Sequence, residues 1–319
     1  MSSKQTVAIA GSGNIAQYLT EEFLADGTYH VAIISRTDRE FFHKPGVTFH
    51  VVKEYSTATI VPILDGYDTT ALISTLQGAD PEWYTSVHEI LLASCVESKK
   101  CKRFISSEYQ GNLRHQPNLP RGNHRARQAF RAKLAAQKEI QATLVLQGWL
   151  ADYWVQPADE SKSYIRPFPN GWPIDLDQKT VRIPGTGDEP IGWTATRDMA
   201  KAVVKLISYD GDWPDHTYVF GELGTWNEAI PKLEKFLGRK LERTYRPKED
   251  IDAALAQTED FDRWYTATMD EWNVLGARPC LGMRLSSCAR RFSRMCTLEI
   301  LRRFWQAPRR RRSCRERCR

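Results

Sequence analysis

The sequence has no stretch of eighteen apolar residues, so no part of it is expected to cross a membrane as a helix. The opening residues, Met1-Ser2-Ser3-Lys4-Gln5-Thr6, have no apolar leader core before the first strand begins. A soluble cytoplasmic protein without a secretory signal is the expectation. Cysteine is scarce in most of the chain: of seven, only Cys95 and Cys101 precede residue 277. These two read as free thiols in a reducing compartment. No two cysteines have the spacing C-x-x-C, and His43, His50, His88 and His115 show no metal-ligand pattern, so no metal site is expected.

Acidic residues are nearly absent from the last 43 positions. Residues 277–319 hold fourteen arginines, no lysine, five cysteines and only Glu299 and Glu316 against them. That stretch is +12, so the net charge of +6 hides a body of −6. Four consecutive arginines, 309–312, would bind phosphates without sequence preference, and a nuclear-import patch would look similar. The mixture of arginine, cysteine and serine without lysine is nevertheless odd for an evolved basic arm. The expectation is a shifted reading frame or a mis-spliced gene model over 277–319, with nucleic acid not expected as a partner.

The remaining 276 residues suffice for a large core, since 41% of the chain is hydrophobic. Apolar strands are expected at Thr6–Ala10, Tyr29–Ser35, Thr48–Val52, Thr70–Thr75, Arg103–Ser106 and Thr143–Leu146. Helices are expected at Asn14–Asp26, Pro81–Lys99 and Arg125–Lys138, with Ile60–Leu64 short because Pro62 lies inside it. This alternation predicts an α/β, Rossmann-type doubly wound parallel sheet over residues 1–150. A smaller, mostly helical substrate lobe is expected over 151–276, with a segment near 190–208 packing back on the sheet domain. Its elements read as two short strands around a Gly-Thr-Gly-Asp turn, then helices at Met199–Ser208 with Asp198 as N-cap, Trp226–Leu237 stopped by Gly238, Lys248–Gln257 and Phe261–Asn273.

The first strand runs into Gly11-Ser12-Gly13-Asn14-Ile15-Ala16. This is G-x-G-x-x-A between a strand and a helix, the arrangement that seats a dinucleotide pyrophosphate on a helix N-terminus. The second strand ends in Ser35-Arg36-Thr37 where a carboxylate usually meets the ribose hydroxyls. A guanidinium pairs with a 2′-phosphate, so NADP(H) is favoured over NAD(H). Lys44 offers a second phosphate contact, while Asp38 could still reach a ribose. Asp188-Glu189 are paired carboxylates, read as a solvated turn.

Several blocks together resemble one family. They are the glycine turn, Ser35-Arg36, "ISTLQG" at 73–78, "KRFISSEYQGN" at 102–112, "LVLQGWLADYW" at 144–154 and "IPGTGDEPIGWTATRDMAKAVVKLI" at 183–207. Across roughly residues 5–276 the chain resembles the NmrA-like and isoflavone-reductase-like branch of the atypical short-chain dehydrogenases. The resemblance implies that Gly11, Ser12, Gly13, Asn14 and Ile15 hold the pyrophosphate and Arg36 the 2′-phosphate. Thr75, Leu76 and Gln77 would line the adenine-ribose side. Ser106, Ser107 and Glu108 would lie near the nicotinamide ribose, and Gln147, Gly148 and Trp149 along the boundary between nicotinamide and substrate.

The chain departs from that pattern in its acid–base group. No tyrosine has lysine four residues on, and the lysine that the resembling reductases carry after strand five is replaced by Arg127, with Arg125 competing for the position. Arginine does not release its proton. His124, Tyr109, Tyr153 or water are the remaining proton sources. Trp149, Trp154, Phe168 and Trp172, with Tyr109 and Tyr153, form an aromatic set suited to a flat ligand. Two readings stay open. One is an NADPH-dependent reductase of a small aromatic or conjugated metabolite in secondary metabolism. The other is an NADP(H)-sensing regulator without turnover, acting through a protein partner. An open cavity at the aromatic end would favour the first, and a filled one the second.

Overall fold

The computed structural model describes residues 4–78, 80–154, 163–167 and 170–277, apart from the side chains of 123–125. The expectations on the arginine-rich run beyond Ala277 and on Phe168 lie outside these residues.

Seven strands form one parallel sheet. In chain order they are β1 (Gln5–Ala10), β2 (Tyr29–Ser35), β3 (Val47–Val51), β4 (Thr69–Ser74), β5 (Arg103–Gln110), β6 (Gln141–Leu146) and, after four short strands of the smaller sheets, β11 (His216–Tyr218). Their spatial order is β11-β6-β5-β4-β1-β2-β3. The central strands β1, β2 and β4 are apolar nearly throughout because helices cover both faces. One face packs under α2 (Thr57–Gly66), α3 (Pro81–Glu97) and α4 (Arg121–Ala136). The other packs under α1 (Asn14–Asp26) and α5 (Thr196–Ile207), with Leu19, Phe23, Met199 and Val203 fully or almost fully buried there.

The smaller lobe holds two three-stranded sheets as well as helices. β7 (Trp149–Leu150), β10 (Ile191–Thr194) and β12 (Glu222–Gly224) form one. β8 (Ile174–Asp175), β9 (Thr180–Pro184) and β13 (Glu242–Arg246) form the other. The two strands around the Gly-Thr-Gly-Asp turn, β9 and β10, therefore belong to different sheets and do not pair. Helices α6 (Trp226–Leu237), α7 (Lys248–Leu255) and α8 (Phe261–Leu275) complete the lobe. Its core is built on tryptophan: Trp149, Trp154, Trp172, Trp193, Trp226 and Trp272 are all buried.

Two local expectations are corrected. α2 runs through Pro62 for ten residues, capped by Ser56, which accepts from the Thr59 amide. Pro62 offers no amide to the Ala58 carbonyl, and both residues are exposed, where losing that bond costs least. Asp198 is not the N-cap of α5; it lies in the first turn and pairs with Lys201 at 3.1 Å. The N-terminus is instead served by Asp152, whose Oδ2 accepts from the Thr196 amide and hydroxyl, each at 2.7 Å. The other oxygen of Asp152 accepts from Tyr18 of α1 at 2.8 Å and from Ser163 at 2.9 Å. One buried carboxylate thus ties α1, α5 and the segment at 163 together.

Candidate active site

The carboxyl ends of β1, β2, β4, β5 and β6 open into one groove of about 720 Å³. It lies across the point between β1 and β4 where the strand order reverses, the crevice in which such sheets bind ligands. At one end Gly11 has φ +107°, and a Cβ there would stand 2.5 Å from Thr75 Oγ1, so a side chain would be strained and crowded. Gly13 has open space where its Cβ would be. It caps α1 without a side-chain hydrogen bond, and the first turn carries no acidic residue. The free amides of that turn, with their positive potential, border the groove. Ser12 shares a 2.9 Å hydrogen bond with Ser35, which ties the glycine turn to the end of β2.

Arg36 and Arg39 line the same end. Arg36 lies over Trp83, 5.5 Å from its ring centroid. Asp38 is turned to His43 at 2.8 Å and is off the groove wall. Lys44 is off the wall too: its ammonium sits over the Phe41 ring, 3.4 Å from the centroid.

The opposite end is aromatic. Trp149, Tyr153, Tyr265, Met269 and Trp272 border it. Trp149 meets Trp272 edge-on with centroids 4.8 Å apart and Tyr153 at 5.6 Å. Burial, with the Asp152 carboxylate adding to it, pushes the Tyr153 phenol well above its usual range. Burial does the same to Tyr109. Both stay protonated at neutral pH. Tyr109 adopts φ +46°, uncommon for a residue with a side chain, and its hydroxyl donates to the Ser74 carbonyl at 3.1 Å.

Arg127 reaches the groove between these ends, 8% exposed. It donates to the Glu108 carbonyl at 3.3 Å and lies 5.4 Å from the Tyr84 ring centroid. The Glu108 carboxylate is engaged by Arg131 at 3.0 and 2.8 Å. Gln147 donates from Nε2 to the Tyr109 carbonyl at 2.7 Å, and its Oε1 is buried without a partner.

The structure thus brings the expected residues at 11–15, 36, 75–77, 107–109, 127, 147–149 and 153 to one groove. Ser106 is separate, fully buried in β5 with an unpartnered hydroxyl. Trp154 and Trp172 pack inside the tryptophan core, off the groove wall. The side chains of His124 and Arg125, on α4, lie outside the described residues. Asp188 and Glu189 hold their own turn: Glu189 accepts from the Thr186 and Gly187 amides, each at 2.9 Å. Cys95 and Cys101 are buried free thiols with sulfurs 3.7 Å apart. Sequence reasoning missed Arg39, Arg166, Tyr265, Met269 and Trp272 on the wall. The last three stand at i, i+4 and i+7 of α8, a helical face visible in the sequence.

No protein-family model matches the sequence. Oxidoreductase swnR of Arthroderma benhamiae is 34% identical over 247 residues, which is 77% of this chain and 76% of that protein. A binary complex of leucoanthocyanidin reductase with NADPH from Vitis vinifera superposes with TM-score 0.62 at 18% identity, covering 88% of this chain and 90% of that one. An isoflavone reductase superposes with TM-score 0.61 at 15% identity, covering 83% and 86%. The likeness to these two structures is one of fold.

Proposed function

Because the chain belongs to the isoflavone-reductase-like, NmrA-like family of oxidoreductases, we propose that it is an NADP(H)-dependent reductase of a small aromatic or conjugated metabolite, acting in the cytoplasm in secondary metabolism. One observation carries this reading: a single groove joins a glycine turn at a helix N-terminus to an aromatic end that side chains leave open.

The residues present fit the dinucleotide. The open space over Gly13 and the uncapped start of α1 suit a pyrophosphate. Arg36 and Arg39 would grip a 2′-phosphate, with no carboxylate among the described residues of that wall to repel it. Residues 75–77 would border the adenine side, Ser107 and Glu108 the nicotinamide ribose, and Gly148 the boundary between nicotinamide and substrate. Bound NADPH supplies a hydride from its nicotinamide. The aromatic end positions the acceptor and excludes water. Arg127 offers charge and hydrogen bonds but no proton. The Tyr109 proton is committed to Ser74, which leaves Tyr153, His124 or water to protonate the product.

The test uses NADPH deuterated at C4, each face separately, with a small-molecule extract of the source cells. A product gaining one deuterium establishes a reductase. The replacement of a lysine by Arg127 favours a second reading, an NADP(H) sensor with a protein partner. Tight NADPH binding with no labelled product decides for that one.

A further inference from the structure

Beside the aromatic end, the groove wall holds a charge that nothing described in the protein balances. Arg127 is almost wholly buried, yet among the described residues no carboxylate pairs with it. Glu108, the nearest candidate by position, gives both oxygens to Arg131. Arg127 is left with neutral partners: the Glu108 carbonyl, the side-chain oxygen of Gln110, and the hydroxyl and ring face of Tyr84. A buried guanidinium without a counter-ion is costly. On the same wall, Gln147 Oε1 is a buried acceptor with no donor.

A dinucleotide does not meet this need. Its phosphates belong to the glycine turn and the arginines at the other end. Its nicotinamide is neutral when reduced and cationic when oxidised, so it brings no negative charge to Arg127.

Resting on the reductase reading above, we propose that the aromatic end is a binding site for a flat aromatic or conjugated acid. Its anionic oxygen sits on Arg127, its ring against Trp149 and Tyr153, and a hydroxyl or amine of the ligand donates to Gln147 Oε1. The forked donors of arginine match a carboxylate in geometry as well as in charge. The substrate class narrows from aromatic metabolites in general to those that carry an acid.

The test is calorimetric titration of the full chain with cinnamate and with cinnamamide, its neutral counterpart, beside a separate NADPH titration. Wild type is expected to bind the acid about tenfold or more tightly than the amide. Arg127→Gln abolishes that preference and binds acid and amide alike. Arg127→Lys keeps the preference at pH 7 and loses it near about pH 10, where a lysine discharges, while the wild type keeps it. If Arg127→Gln does not fold, this divergence in pH decides. Equal affinity for acid and amide, binding of neither, a preference that survives in Arg127→Gln, or identical pH behaviour of lysine and arginine each overturns the acid site. Loss of NADPH binding in wild type with the acid preference intact overturns the reductase reading and leaves the acid site standing.

Discussion

The hydroxyl of Tyr109 donates to the carbonyl of Ser74 at 3.1 Å, bridging the ends of neighbouring strands β5 and β4 at the floor of the groove. A phenol held this way braces the wall and has no free proton for a ligand. Tyr109→Phe is therefore expected to cost about 1 kcal/mol, lowering Tm by about 2–4 °C, while deuterium transfer from NADPH persists. A fall in turnover of a hundredfold with Tm unchanged would instead make Tyr109 the proton donor.

Gly11 and Gly13 face opposite constraints, and alanine separates them. At Gly11 the positive φ and the 2.5 Å approach to Thr75 penalise a methyl in the free protein. Gly11→Ala should lose about 1–3 kcal/mol of stability as well as NADPH binding. At Gly13, φ −83° suits alanine and the space is open. Gly13→Ala should stay within about 1 kcal/mol of wild type and yet weaken NADPH about tenfold or more, because the methyl enters the pyrophosphate cradle. Thermal melts beside NADPH fluorescence titrations distinguish the two. Unimpaired binding by Gly13→Ala would move the pyrophosphate elsewhere.

Arg36 and Arg39 should set the preference for NADPH over NADH. Each charge-assisted contact is worth about 1.5–3 kcal/mol. Removing either arginine should cut the ratio of the two affinities by about tenfold or more, by weakening NADPH alone. Equal weakening of both dinucleotides would mean that these arginines meet a phosphate the two have in common.

How far the sequence is legible depends on the range of the forces involved. α1 and α6 match their expected bounds because periodicity, glycine and a helix stop are local signals. Arg36 is found because it immediately follows a readable strand. The short strands β7, β12 and β13 are invisible, since two to five residues acquire strand geometry only from partners elsewhere in the chain. Likewise the N-terminus of α5 is served by Asp152, 44 positions earlier, where local reasoning chooses Asp198. The stripe Tyr265, Met269 and Trp272 is readable as a helix face, but its target, Trp149, comes from another lobe element. Trp154 and Trp172 fail as groove residues for the complementary reason: sequence shows that they are aromatic, and only packing shows that other tryptophans enclose them.

Asp152 makes four hydrogen bonds and has every donor it needs. Asp152→Asn keeps the volume but turns an NH2 group toward donors on one side. Two hydrogen bonds to a buried group are lost, at about 1–3 kcal/mol for each group left unsatisfied. The variant should unfold at a lower denaturant midpoint, with early protease cleavage around residue 163. A midpoint matching wild type would show that the carboxylate is not what joins α1 to α5.

His88 makes the protein's stability depend on pH. Its Nδ1 donates to the Tyr84 carbonyl at 2.9 Å, so Nε2 accepts from the Ser74 hydroxyl at 3.0 Å, and the ring is neutral and fully buried. Burial, with the Arg127 charge adding to it and the Tyr84 bond opposing it, brings its pKa down to about 4. The unfolded chain protonates this histidine near pH 6.5, so below that pH the unfolded state binds the extra proton first. Stability is complete above about pH 6.5, declines as pH falls toward 4, and levels off once the folded ring is also charged. The difference of about 2.5 units corresponds to about 3 kcal/mol. Denaturant midpoints of wild type and His88→Gln, taken from pH 7 to pH 4, should diverge in slope by that amount, with the variant flatter. Parallel curves would show that the folded protein already lets a proton reach His88, and the packing of Tyr84, Phe130 and Ser74 around the ring would then have to be looser than these contacts indicate.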